Sequence, residues 1–363
     1  MILKFSEVLE IKNGKNQKKV ENKNGKYPIY GSGGIIGWAN EYLCEKENVI
    51  IGRKGSINKP IFVDTPFWNV DTAFGLIANR EILDSKYLYY FCLSFDFEKL
   101  STTVTIPSLT KNNLLNIKFN VPSLAKQRKI VKKLDKIQEI IKKYQQELIE
   151  FEKLSKSIFI EMFQKNYNII SWEYKKITEV YQIIDGDRGK NYPKSEELFE
   201  KEYCLFLNTG NVTKNGFNFE KKVFITKEKD EILKNGKLER NDIVLTTRGT
   251  IGNIAYYDNT IEYSNIRINS GMVILRKIKE INPCYFIAFF KEKNTYMKLV
   301  SGSAQPQMPI SKLKEFKLLL PPIELQNQFA ERIKMIEKSK IEIQKSIEET
   351  QKLFDSLMEK YFG

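Results

Sequence analysis

Two stretches of this chain carry the same hydrophobic ladder at a constant separation. In the first, Ile130, Leu134, Ile137, Ile141, Tyr144, Leu148, Phe151, Ser155, Ile158 and Met162 step by four and three residues. In the second, Phe329, Ile333, Ile336, Lys340, Ile343, Ile347, Thr350, Phe354, Leu357 and Tyr361 do the same, each 199 positions after its counterpart. Alternating steps of four and three place apolar residues on one seam, the pattern by which one long helix packs on another. A long amphipathic helix ordinarily just lines a core. Here each seam covers about 33 residues, roughly 50 Å of helix, which outruns a compact domain and predicts a spacer. Lys340 stands where the first seam has Ile141, and its aliphatic stem can cover the seam while the ammonium reaches water.

The repeat extends beyond the ladders. Pro122-Ser123-Leu124-Ala125-Lys126-Gln127 matches Pro321-Pro322-Ile323-Glu324-Leu325-Gln326 at the same offset, and proline suits a helix boundary because it tolerates the first turn but cannot continue a preceding helix. Upstream the spacing drifts. Phe5-Ser6-Glu7-Val8 resembles Ile177-Thr178-Glu179-Val180 at an offset of 172, and Arg53-Lys54-Gly55-Ser56-Ile57 resembles Thr247-Arg248-Gly249-Thr250-Ile251 at 194. Fixed spacing in the helices and drifting spacing before them imply one frame carrying two divergent heads. The expected organisation is a first lobe over residues 1–122, a long helix over 123–165, a second lobe over 166–320 and a second helix over 321–363. Each lobe reads as mixed α/β (α+β). Runs such as Asn48-Val49-Ile50-Ile51-Gly52 and Asp242-Ile243-Val244-Leu245-Thr246 are predicted strands ending in Gly-containing turns. Lys86-Tyr87-Leu88-Tyr89-Tyr90-Phe91 and the aromatic run from Pro283 to Phe290 open helices whose rings suit a core.

Charge and composition narrow the function. The 59 Lys and Arg outnumber the 45 Asp and Glu, for a net charge of +14, and the pI is near 9.3. Such a surplus suits a polyanionic partner, although Lys-rich composition alone is weak support. Histidine is absent, which removes the commonest general base and metal ligand. Cys44, Cys92, Cys204 and Cys284 form no CxxC, so reduced, buried thiols are expected rather than a zinc site or disulfide framework. The first residues lack the apolar stretch of a signal peptide, and no apolar run approaches the roughly 20 residues of a membrane span.

Several passages carry a family likeness. In the first half they are Tyr27-Pro28-Ile29-Tyr30-Gly31-Ser32-Gly33-Gly34-Ile35-Ile36-Gly37, Ile51-Gly52-Arg53-Lys54-Gly55-Ser56-Ile57 and Asp71-Thr72-Ala73-Phe74. In the second they are Asp185-Gly186-Asp187-Arg188, Leu207-Asn208-Thr209-Gly210-Asn211-Val212, Gly236-Lys237-Leu238, the segment from Asp242 to Gly252, and Ile268-Asn269-Ser270-Gly271-Met272. With the duplicated helices, the whole chain resembles the specificity subunit of Type I restriction–modification systems, its first lobe being the more compact. The resemblance implies two target-recognition domains, each reading one half of an interrupted double-stranded DNA sequence. It also implies a pseudo-two-fold internal repeat whose long helices pack antiparallel like a coiled coil, set the gap and dock partners. Those partners would be two modification subunits, which use S-adenosylmethionine, and restriction subunits, which use ATP and Mg. The chain itself is then expected to bind no cofactor or metal, to catalyse nothing and to work in the cytoplasm, away from membranes, in phage defence. The alternatives are a free-standing bipartite DNA-binding regulator, which would need no methyltransferase, and a nuclease, for which the sequence offers no carboxylate cluster beyond Asp185 and Asp187.

Candidate contact residues follow from chemistry. Arg53, Lys54 and Ser56, and Thr246, Thr247, Arg248 and Thr250, combine guanidinium or ammonium groups suited to guanine or phosphate with hydroxyls suited to phosphate; the alternative is a solvated turn with a salt-bridged Arg. Tyr30 and Ser32 flank a Gly-rich turn that lacks a dinucleotide-binding pattern. Arg188 and Lys190 follow two aspartates without calcium-loop spacing, so a basic loop toward phosphate is favoured. Thr103, Thr105 and Gln305 precede the two helices at equivalent places, and glutamine can pair with adenine, though a polar loop serves as well. Ile130, Leu134, Ile137, Ile141, Leu148, Phe329, Ile333, Ile336, Ile343 and Ile347 are the expected seam or partner-binding positions.

Overall fold

The computed structural model describes residues 1–101, 107–164, 172–302 and 305–363. The chain divides into two units, Met1–Leu148 with Ile341–Gly363, and Ile149–Lys340, so the division falls inside both long helices. Those helices are Leu124–Phe159, prolonged by a π-helical turn at Ile160–Gln164, and Ile323–Phe362.

Each unit is built on the same plan. In the first, an antiparallel sheet has the order Leu9–Asn13, Ala73–Ala78, Asn48–Gly52, Ile61–Val63. A second sheet places Tyr27–Gly31 between antiparallel Gly34–Ala39 and parallel Trp68–Asn69. The other unit repeats this with Tyr181–Asp185, Met272–Lys277, Ile243–Thr246, Ile254–Tyr256. Its second sheet places Cys204–Leu207 between antiparallel Phe224–Ile225 and parallel Ile266–Ile268. Close approach of backbones recurs at Gly14 and Gly186, 172 positions apart. A Cβ there would lie 1.8 Å from the Val70 carbonyl oxygen and 2.1 Å from that of Asn269, so only glycine fits.

The aromatic runs form helices Ser85–Ser94 and Pro283–Lys291, capped by the side chains of Asp84 and Asn282. Their rings are core: Tyr87, Tyr90, Phe91, Tyr285, Phe286 and Phe290 are buried. Tyr87 donates to the Asn120 carbonyl at 3.0 Å and Tyr285 to that of Leu319 at 2.9 Å. Long-helix ends complete both cores. In the first unit Phe354 and Met358 pack with Leu134 and Ile137, and Phe362 lies 5.0 Å from Tyr87, centroid to centroid. In the second, Phe159 and Phe163 pack on Phe329, and Phe163 lies 4.7 Å from Tyr285. In each unit an early stretch of one long helix thus meets a late stretch of the other, as antiparallel packing requires.

The seam is visible in accessibility. Ile130, Leu134, Ile137, Phe329 and Ile336 are buried, while Ile141, Leu148, Ile333, Ile343 and Ile347 are half-buried. Lys340 is half-buried too, and its ammonium pairs with Glu337 at 3.0 Å.

One buried glutamine per copy locks the start of each long helix. Gln127 accepts from the Asp84 N–H at 2.8 Å and donates to the carbonyls of Ile82 and Pro122. Gln326 accepts from the Asn282 N–H at 2.9 Å and donates to the Pro321 carbonyl at 2.7 Å. Each therefore ties the helix to the residue that caps the aromatic helix. Gln326→Ala strands a part-buried N–H and a buried carbonyl, so it is expected to cost roughly 1–3 kcal/mol in urea unfolding. Unchanged unfolding would show that the amide is not a fastener.

Candidate nucleic-acid interface

The duplicated turn has the same backbone chemistry in both units. The N–H groups of Arg53 and Lys54 donate to the Thr72 carbonyl at 2.8 and 3.4 Å, and those of Thr247 and Arg248 to the Gly271 carbonyl at 2.8 and 3.2 Å. Leu109 donates to the Arg53 carbonyl, and Met308 to that of Thr247, both at 2.9 Å. Lys54 forms a bridge with Ser108, and Arg248 with Gln307. Gly55 and Gly249 then turn the chain through φ of 79° and 69°, a left-handed conformation that favours glycine. Backbone equivalence pairs Lys54 with Arg248, and Arg53 with Thr247. Lys54 and Arg248 are exposed, and neither ammonium nor guanidinium has a hydrogen-bond or ion-pair partner among the described residues. Arg53 is exposed with its guanidinium 5.8 Å from the Phe74 ring centre.

The expectation for Thr246 and Thr247 is corrected. Both are buried. The Thr246 hydroxyl donates to the Thr250 carbonyl and accepts from the Asn253 N–H at 3.1 Å, and the Thr247 hydroxyl donates to the Gly271 carbonyl at 3.0 Å. These hydroxyls brace the turn that displays Arg248 and cannot reach a ligand. Thr250 is exposed, although its hydroxyl donates to the Thr209 carbonyl at 3.3 Å.

Other loops gather at the same rim of the second unit. Arg188 is half-exposed but engaged: it pairs with Asp185 at 3.0 Å and donates to the Ser270 carbonyl at 3.4 Å, one residue from the acceptor of the Arg248 turn. It ties two loops together rather than standing free for phosphate. Asp187 accepts from the N–H groups of Lys234 and Asn235 at 2.6 and 3.3 Å, so this carboxylate is already used by the fold. Lys190 is exposed just past Gly189, whose φ is 93°. Gln305 is exposed in a loop closed by paired backbone bonds between Ser301 and Gln307, both at 2.9 Å. Through Gln307 that loop is anchored to Arg248.

In the first unit Ser32 stands at the turn. A Cβ on Gly52 would lie 3.0 Å from the Ser32 Cβ, and one on Gly55 3.9 Å from its hydroxyl. Ser56 is half-buried beside it. Tyr30 faces inward, its ring 5.7 Å from Phe67. Burial, and secondarily Asp64, push its hydroxyl above the usual tyrosine pKa, so it is a packing residue more than a displayed one. Thr103 and Thr105 lie outside the described residues.

Asn208 and Thr209 were quoted in a family passage but not counted among the contact residues. Asn208 accepts from the Gly210 N–H at 2.8 Å and donates its own N–H to Asn211 at 3.0 Å, and Thr209 touches the positions of Gly249 and Gly271. The Asn-Thr-Gly-Asn run was the signal, since such residues fold a turn on themselves. Burial pushes the thiols of Cys44 and Cys284 up to about 11 and that of Cys204 to about 12, and all four cysteines are free. No helix among the described residues is long and apolar enough to cross a membrane.

A family model described as "Type I restriction modification DNA specificity domain" matches residues 1–151 and 169–352. The Type I restriction enzyme MjaVIII specificity subunit of Methanocaldococcus jannaschii is 26% identical over 318 residues, covering 82% of this chain and 74% of its own length. The Type I restriction enzyme EcoBI specificity subunit of Escherichia coli is 22% identical over 330 residues, with coverage of 81% and 68%. Among solved structures, the S subunit of the M. genitalium Type I restriction–modification system aligns with a TM-score of 0.62 at 18% identity, over 100% of this chain and 96% of that one. That last likeness concerns the fold.

Proposed function

Since the chain belongs to the Type I restriction–modification DNA specificity family, we propose that its two units each read one half of an interrupted double-stranded DNA target. The long helices hold the halves at a set separation and dock the modification and restriction subunits. Specificity subunits are the recognition members of their complexes, so methylation with S-adenosylmethionine and cleavage with ATP and Mg fall to the partners.

The observation that carries this reading is the duplicated turn. One backbone arrangement occurs in both units, and in each it projects an exposed cation, Lys54 or Arg248, that has no partner among the described residues. A structural salt bridge would need an acidic partner, and neither side chain has one among the described residues. Lysine offers a compact charge suited to phosphate, whereas arginine can bridge the O6 and N7 acceptors of guanine. The net charge of +14 favours the approach of DNA. Each seam is roughly 50 Å long, on the scale of one to two turns of duplex at about 34 Å per turn.

Sequencing the methylated bases in cells that express this chain with its modification subunits tests the proposal. The expected result is one motif of two short conserved blocks separated by a constant run of unspecified bases. A single contiguous motif would overturn the two-reader account.

A further inference from the structure

The Gly-rich hairpin of the first unit, Tyr27–Gly31 and Gly34–Ala39, exposes apolar side chains that packing does not use. Ile35 is 54% accessible and Ile36 56%. Gly34–Ala39 is an edge strand, so these residues are not covered by a neighbour in the sheet. Ile36 lies over Gly31: a Cβ there would be 3.5 Å from an Ile36 methyl and 3.9 Å from one of Val70. Val70 donates its N–H to the Tyr30 carbonyl, and two residues later Thr72 receives the N–H groups of Arg53 and Lys54. Ile36 therefore belongs to the rim that displays the basic turn. Asp71 is exposed in the same loop, leaving the two cations in excess over this carboxylate. In the second unit the equivalent strand Cys204–Leu207 runs directly into the polar residues Asn208 and Thr209 instead of a Gly-Ile hairpin.

An exposed isoleucine on the rim of a basic turn has a fitting partner in the major groove. The thymine 5-methyl is an apolar feature of the base edges there, and aliphatic side chains read it by contact. We propose that Ile36 reads a thymine methyl in the half-site bound by the first unit, so the two units read their halves with different chemistry. This rests on the DNA-reading role proposed above. Arg53 and Lys54 hold the phosphates or neighbouring base edges, and Ile36 supplies discrimination that no hydrogen bond provides.

The test uses the complex of this chain with its modification subunits and a duplex carrying the methylated target. Thymines of each half-site are replaced one at a time by deoxyuridine, which lacks only the methyl. For the native complex, one replacement in the first unit's half-site should weaken binding about fourfold, the value of one buried methyl-sized group. Ile36→Ala should bind the thymine and deoxyuridine duplexes equally and leave reading of the other half-site intact. Deoxyuridine insensitivity throughout that half-site, or sensitivity that survives Ile36→Ala, would overturn the assignment. So would an Ile36→Ala chain that loses its modification subunits, since the patch would then face protein. Failure to bind even the all-thymine duplex would remove the DNA-reading role itself, a distinct result.

Discussion

Arg267→Ala is expected to lower the unfolding free energy by roughly 3–5 kcal/mol, because it leaves a buried carboxylate without its buried ion-pair partner. Arg267 sits in the strand Ile266–Ile268 and is 6% exposed. Its guanidinium donates to the Asp230 carboxylate at 2.5 Å and to the carbonyls of Asp230, Leu233 and Asn235 at 2.7, 2.8 and 2.6 Å. Asp230 belongs to the helix Lys227–Ile232 and also pairs with Lys237. The alanine variant thus removes four hydrogen bonds and leaves the half-exposed Lys237 as the cation facing the buried charge. Urea unfolding measures the loss, and Arg267→Ala with Asp230→Leu should recover part of it, since the stranded charge is then gone.

The same pair sets a pH dependence. Burial works to raise the Asp230 pKa, but Lys237 and Arg267 together outweigh it and hold the carboxyl below its ordinary value. A carboxyl lowered on folding stabilises the protein above its unfolded pKa, near 3.9, and that contribution is lost as pH falls through the folded value. The stability gap between wild type and Arg267→Ala should therefore narrow in acid. A gap that stays constant from neutral to acidic pH would contradict the ion-pair explanation.

The second large effect is expected at Arg248. Arg248→Ala should weaken or relax recognition of one half-site, by roughly 1–3 kcal/mol for a lost bidentate base contact, while the other half-site is read as before. Lys54→Ala, at the equivalent backbone position, should affect the opposite half. If lysine holds phosphate, that variant weakens binding evenly across sequences instead of broadening the motif. Methylation patterns of cells carrying each variant separate the outcomes. An unchanged motif with Arg248→Ala would remove Arg248 from the base-reading residues. Both variants should fold normally, because neither side chain has a partner among the described residues.

The frame was legible because its duplication is periodic. The seam residues are spaced for one helix face, and the offset of 199 extends into the fold, where Ser108 and Gln307 bridge Lys54 and Arg248. The basic turn was legible because glycine marks the left-handed step in both copies. The threonines beside it were not, since a hydroxyl suited to phosphate is equally suited to bracing a turn, and only burial tells the two apart. Arg267 was illegible for a different reason. It stands 199 positions after Trp68, whose indole donates to the Lys15 carbonyl at 2.9 Å, so the repeat offers no matching charge. Its partner lies 37 residues upstream, and no local pattern joins them. Ile36 was quoted within a glycine-rich motif, but exposure of an apolar side chain is a property of the folded hairpin.

The central claim is that two readers are held at a set distance, and gap length tests it most directly. Duplexes carrying both half-sites are offered to the complex with the native gap and with one base pair added or removed. One base pair moves a half-site by about 3.4 Å and turns it by roughly a tenth of a helical turn. The account predicts at least about a tenfold loss of affinity for either change, about 1.4 kcal/mol. Equal affinity across the series would contradict it.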